Sequence, residues 1–193
     1  MKSSNYRLIL ASNSPRRQEL LRECGFDFEV FTTDVDESFP ADIGANHVAK
    51  YLANKKNKAY QKLLDDSIII TADTTVVFDK KILNKPSDDA EAFEMINQLS
   101  GKKHFVITGV CISSPEKVVA FDDITEVEFK QLTEIEINNY ISNYRPFDKA
   151  GAYGIQEWIG MIGVEKISGS YFNVMGLPTH QVYEVMKTFL EAK

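Results

Sequence analysis

Residues 6–25 read YRLILASNSPRRQELLRECG, a short apolar run that gives way at once to a polar segment opened by proline. Tyr6–Ala11 has the length and composition of a buried strand. Ser14 is placed to cap a helix, Pro15 suits the first helical position, where its missing N–H costs nothing, and Gly25 can close the C-terminus. A strand that runs straight into a helix is the opening unit of an α/β fold.

The same signals recur further along. Phe28–Thr32 reads as a second strand, and Asn46–Leu64 as a long amphipathic helix. Ser67–Thr71 and Thr75–Phe78 read as β-rich runs on either side of Ala72-Asp73-Thr74. Ser87–Leu99 reads as a helix with Ser87 as N-cap and Gly101 beyond its end. His104–Ser113 and Lys117–Phe129 are long strands joined at Ser114-Pro115-Glu116. Thr133 with Glu136 makes a capping box for a helix to about Asn143. Asp148–Gly163 reads as glycine-rich loop with short strands, and a helix from about Thr179 to Leu190 follows. Alternation early and long adjacent strands in the middle predict an α/β protein with a mixed sheet.

The chain has 193 residues, enough for one domain or for one domain with two lobes, and can bury a core without staples. Cys24 and Cys111 lie far apart in apolar surroundings, so no disulfide framework is expected and a reducing cytoplasm is the expected setting. Met1–Tyr6 lacks the apolar stretch of a signal peptide, and no membrane-spanning run is present. A net charge of −6 argues against non-specific binding to nucleic acid, but leaves room for a small anion met by a few local cations. His47, His104 and His180 have no metal-ligand spacing, and neither a Walker A loop, a GxGxxG fingerprint nor a nucleophile elbow occurs.

Several charged residues stand where charge needs a reason. In Ser12-Asn13-Ser14-Pro15-Arg16-Arg17, Ser12, Ser14, Arg16 and Arg17 surround a helix N-terminus, whose free N–H groups attract anions. Two arginines there oppose the helix dipole, a conflict that a bound anion removes; alternatively both snorkel to solvent. Lys56 falls on the apolar face of the Asn46–Leu64 helix, between Leu52 and Ala59, and either snorkels or meets an anion. Asp73 lies between buried β runs, which suits a general base or metal ligand at a strand end, or a turn cap through Thr74. Glu37, in the run Asp34-Val35-Asp36-Glu37, is either solvated or a ligand for a hard cation such as Mg²⁺. Lys85, extended before Pro86, can reach a phosphate.

These segments come together in one resemblance. LILASNSPRRQELL (8–21), ADTTVV (72–77), ILNKPSD (82–88), LSGKKHFVITGV (99–110), FDKAGAYGIQ (147–156) and ISGSYFNVMGLP (167–178) resemble, in order, the signatures of the Maf family of nucleoside triphosphate pyrophosphatases. The resemblance implies a mixed twisted sheet with flanking helices of the inosine-triphosphate-pyrophosphatase-like type, with two lobes around a central cleft, in one domain over 1–193. It implies cleavage of the α–β phosphoanhydride of a nucleoside triphosphate with a divalent metal (Mg²⁺, Mn²⁺ or Co²⁺). Asp73 matches the family's catalytic base; Glu37, Lys56 and Lys85 match charged site residues, with Glu37 at the metal; Arg16, Thr74 and Gln156 match positions that set substrate choice. DKAGAYGIQ resembles the branch acting on dTTP and UTP, although this chain reads Gln156-Glu157-Trp158 where many relatives have glycine after the glutamine. Two other readings stand beside it: removal of modified pyrimidine nucleotides, and a non-enzymatic nucleotide-binding inhibitor of septum formation. No nucleic-acid or membrane partner is expected, and a homodimer fits the resemblance.

Overall fold

The computed structural model describes residues 7–61 and 66–190. The predicted strand start at Tyr6 and the predicted end of the long helix, 62–64, lie outside the described residues. One mixed sheet carries the strand order β2-β1-β3-β5-β6-β7, with β4 paired to β3. These are β1 (Arg7–Leu10), β2 (Glu29–Val30), β3 (Ser67–Phe78), β4 (Lys81–Leu83), β5 (Lys103–Ser113), β6 (Val118–Phe129) and β7 (Val164–Ser168). The chain divides into two compact units. The first holds residues up to Asp73, Thr108–Asp123 and those from Gly176 onward; the second holds Thr74–Ile107 and Ile124–Met175.

In the first unit, β1 lies parallel to both β2 and the start of β3, with Ile9 opposite Ile69 and Leu10 opposite Ile70. Ile9, Leu10, Ile68, Ile69 and Ile70 are all buried, as expected of parallel strands covered on both faces. Helix α1 (Pro15–Glu23) follows β1, α2 (Ala45–Gln61) precedes β3, and a C-terminal helix spans Thr179–Leu190. Helix α2 packs hard on β5: a Cβ on Gly109 would come within 2.3 Å of the Lys50 backbone nitrogen. Polar ties reinforce that contact. Buried Asn57 donates from Nδ2 to the carbonyls of Ile69 and Cys111, and Thr71 Oγ1 donates to Ala53 O at 2.8 Å. Asn57 is therefore part of the buried face of α2, whereas Ala59 is only half-buried.

In the second unit, the end of β3 forms a hairpin with β4, Val76 opposite Leu83 and Phe78 opposite Lys81. Asp79 and Lys80 turn it with φ of 47° and 62°, the left-handed pair of a tight hairpin. Helices α3 (Asp89–Leu99), α4 (Glu134–Tyr144), α5 (Trp158–Gly163) and α6 (Tyr171–Met175) complete the unit, and the C-terminal helix of the first unit is α7. Its core includes Ile96, Leu99, Phe129, Ile137, Tyr140 and Tyr153.

The structure corrects several predicted elements. Ser67–Thr71 and Thr75–Phe78 are one continuous strand, so Asp73 sits mid-strand rather than at a strand end. The strand continues because its two halves have different partners, parallel β1 and antiparallel β4. Asp88, not Ser87, caps α3, accepting from Glu91 N at 2.8 Å; Ser87 instead donates from its backbone to the Glu91 carboxylate. Asp148–Gly163 contains a 3-10 turn at Ala150–Ala152 and helix α5 rather than short strands, and β4, β7 and α6 are additional elements. The predicted strand Phe28–Thr32 is reduced to Glu29–Val30. No helix among the described residues is long and apolar enough to cross a membrane.

Candidate active site

Arg17 does not snorkel. Its Nε donates to Gly176 O at 2.8 Å, and its Nη1 to Ala72 O at 3.0 Å and to Ser12 Oγ at 3.4 Å. Ser12 Oγ also accepts from Ser14 N at 3.2 Å, and Ser14 caps α1 by accepting from Arg17 N at 3.5 Å. The guanidinium thus ties the turn to Ala72, the residue before Asp73. Burial lowers the Arg17 pKa, the Asp73 and Glu37 carboxylates pull it back up, and Arg16 adds to the lowering. A guanidinium ordinarily titrates above about 12, so it stays charged. Arg16, one residue earlier, is half-buried.

Lys56 settles between two carboxylates. Its Nζ lies 2.7 Å from Asp73 Oδ1 and 2.8 Å from Glu37 Oε1. The helical position that looked wrong for a lysine is right for an ammonium between two acids. The Asp73 side chain is 14% exposed and that of Glu37 is 60% exposed, so the cluster is closed on one side and open on the other. Asp73 Oδ2 has no hydrogen-bond partner among the described residues. The loop bearing Glu37 is pinned to α2: Lys55 Nζ reaches Asp36 Oδ2 at 2.8 Å, and Tyr60 Oη accepts from Thr33 N at 2.8 Å. Lys55 and the Ser38 hydroxyl and N–H hold the Asp36 carboxyl well below the usual carboxylate range.

The remaining predicted residues belong to the second unit. Thr74 follows Asp73 along β3 and is half-buried. Lys85 is exposed, and the neighbouring Asn84 O accepts from Gly151 N at 3.1 Å, which sets the Lys85 segment against the turn leading to Gln156. Gln156 is half-buried, with an Oε1 that is shielded from solvent and has no hydrogen-bond partner among the described residues. Sequence reasoning missed the charged cluster beneath that turn, where Lys149 meets Asp148 and Glu157. The usable signal was Lys149, a lysine directly before the small residues Ala150-Gly151-Ala152.

A metal fit can be tested on the donors present. Among the described residues no group of three or more His, Cys, Asp and Glu is gathered as a metal cage. Asp73 and Glu37, joined through one ammonium, supply two hard oxygen donors. That matches a Mg²⁺-like cation, which takes one or two carboxylates and completes its shell with water and substrate phosphates.

The model of a family described as Maf-like protein matches residues 7–189. A protein of Bacteroides thetaiotaomicron named dTTP/UTP pyrophosphatase is 49% identical over 184 residues, covering 94% of this chain and 95% of that one. A protein of the same name from Cytophaga hutchinsonii is 48% identical, covering 95% and 84%. Among solved structures, the Staphylococcus aureus Ham1 protein aligns over 64% of this chain and 71% of its own at 16% identity and a TM-score of 0.48.

Proposed function

The chain belongs to the family of Maf-like proteins, and on that premise we propose that it hydrolyses dTTP and UTP to the nucleoside monophosphate and pyrophosphate. The observation that carries the reading is Asp73: one oxygen is held by Lys56 at 2.7 Å, the other has no hydrogen-bond partner among the described residues, and the carbonyl of the preceding Ala72 is held by the Arg17 guanidinium. A carboxylate so held has a defined direction and an open acceptor, which is what a general base needs. The names of the relatives supply the substrate class.

In this reading Asp73 Oδ2 orients a water and takes its proton as the oxygen bonds to the α-phosphorus. The bond from that phosphorus to the bridging oxygen breaks, and pyrophosphate leaves with its electron pair. Lys56 holds the base in place through its 2.7 Å contact with Oδ1. The α1 N-terminus, with Ser12, Ser14, Arg16 and Arg17, binds phosphate oxygens through N–H groups and positive charge. Asp73 and Glu37 would hold a divalent cation, which when bound offsets phosphate charge. In the second unit, Lys85 offers an exposed cation to phosphate, and the Gln156 amide offers a donor and an acceptor to a pyrimidine edge.

Pyrophosphate release from a panel of nucleoside triphosphates, normal and modified, with Mg²⁺, Mn²⁺ and Co²⁺ tests the proposal. The highest kcat/KM is expected with dTTP and UTP. Higher values with modified pyrimidines would move the reading to their removal, and no release from any nucleotide would favour a binding role without turnover.

A further inference from the structure

The second unit holds a partly buried charge cluster that the hydrolysis does not use. Lys149, nearly covered, contacts Asp148 Oδ1 at 2.7 Å and Glu157 Oε1 at 3.1 Å. The other Glu157 oxygen accepts a short hydrogen bond from the hydroxyl of Tyr140, a fully buried residue of α4. That hydroxyl in turn accepts from Gly154 N at 3.0 Å, and Glu157 N donates to Gly154 O at 3.0 Å. Residues 154–157 are therefore a closed turn, bolted to α4 through one hydroxyl and to the preceding segment through one ammonium. The same segment carries backbone strain, because Ala152 has φ of 60°, a left-handed conformation costly for a residue with a Cβ. The space is filled to contact: a Cβ on Gly154 would lie 2.8 Å from the Glu157 carboxyl carbon.

Gln156 rides on this turn. Its Oε1 is shielded from solvent and lacks a partner among the described residues, an arrangement that costs free energy unless a ligand N–H completes it. We propose that Glu157 is a positioning residue for base recognition: through Tyr140 and Lys149 it fixes the 154–157 turn so that the Gln156 amide meets a ring N–H. The ligand chemistry is a six-membered ring presenting an N–H beside a carbonyl, as uracil and thymine do; cytosine presents an acceptor nitrogen beside an amino group. The inference rests on the pyrimidine reading above and deepens it, because it assigns the discrimination to a residue that does not itself touch the base. Tyr140 is suited to the task, since burial and the Glu157 carboxylate both raise its pKa and keep it a donor.

The test compares wild type, Glu157→Ala, Glu157→Gln and Tyr140→Phe with UTP and CTP, by steady-state pyrophosphate release and by equilibrium binding. For Glu157→Ala we expect KM for UTP to rise about tenfold, kcat to fall no more than about threefold, and the preference for UTP over CTP to narrow about tenfold. Glu157→Gln, which can still accept from Tyr140, recovers most of the preference. A folded Glu157→Ala protein with unchanged preference overturns the proposal. If that variant does not fold, as judged by circular dichroism, Tyr140→Phe decides: it removes one hydroxyl and should narrow the preference in the same direction, and an unchanged preference overturns the proposal. Wild type inactive on every nucleotide would sink the hydrolytic reading instead, and the binding arm would still report on positioning.

Discussion

Each unit holds a lysine between one covered and one exposed carboxylate, and the two clusters differ in how the covered acid uses its oxygens, which separates chemistry from support. Lys56 meets Asp73 and Glu37; Lys149 meets Asp148 and Glu157. In both, one acid is largely exposed and the other largely covered. The covered acid of the first cluster, Asp73, spends one oxygen on its lysine and keeps the other without a protein partner among the described residues. The covered acid of the second, Glu157, has both oxygens engaged, one by Lys149 and one by Tyr140. An ion pair with an open valence can bind and move a proton. With every valence filled it can only hold backbone in place.

Substitution at the two covered acids should separate them most. Asp73→Asn keeps the shape and one donor-compatible oxygen but removes the base, and kcat for UTP should fall about 10²–10⁴-fold. Glu157→Gln should lower kcat only a few-fold. Equal losses of kcat at the two positions would break the distinction.

Removing the lysines reverses the order on the stability axis. Lys149→Met strands Glu157 beside a buried tyrosine and should cost about 3–5 kcal/mol in urea unfolding. Lys56→Met should cost less, about 2 kcal/mol, because Lys56 is less covered than Lys149 and its loss does not disturb an acid tied on both oxygens. A larger loss at Lys56 would mean that its cluster is the more structural of the two.

Acid should expose a third contrast. His104 is buried in the second unit, with Nε2 2.7 Å from Tyr153 Oη, and burial pushes its pKa down from 6.5 to about 4. The unfolded chain takes up that proton near pH 6.5 while the folded one resists until about pH 4. The contribution is therefore complete above about pH 6.5 and is lost as pH falls towards 4, by up to about 3 kcal/mol. Replacement by Phe should flatten that part of the stability profile measured by urea unfolding; an unchanged slope would show that His104 charges freely.

The smallest effect concerns helix caps. Ser14 accepts from Arg17 N at 3.5 Å, whereas Asp88 accepts from Glu91 N at 2.8 Å. Asp88→Ala should cost about 1 kcal/mol, and Ser14→Ala less, with its effect appearing in KM instead. A stability loss at Ser14 equal to that at Asp88 would make the first turn an ordinary cap.

Local chemistry was readable in the sequence and long-range pairing was not. The Ser14–Pro15 start, the Thr133–Glu136 capping box and the Thr179–Leu190 helix are written in adjacent residues and stand as read. The β3–β4 hairpin was hidden because Asp79-Lys80 adopts positive φ without the glycine that announces such turns. Lys56 was marked by its place on an apolar helix face, but its two partners lie 17 and 19 residues away and follow from how β3 and the Glu37 loop meet α2. Nothing in the sequence marked Arg17 as the residue whose guanidinium would meet the carbonyls of Ala72 and Gly176. Glu157 drew notice only as a non-glycine after Gln156, since its role depends on Tyr140 from another helix.

The claim that Asp73 directs water to the α-phosphorus is tested most directly by hydrolysing UTP in ¹⁸O-enriched water and analysing both products by mass spectrometry. The label is expected in the monophosphate, with unlabelled pyrophosphate. Label in the pyrophosphate would place the attack on the β-phosphorus and contradict the account.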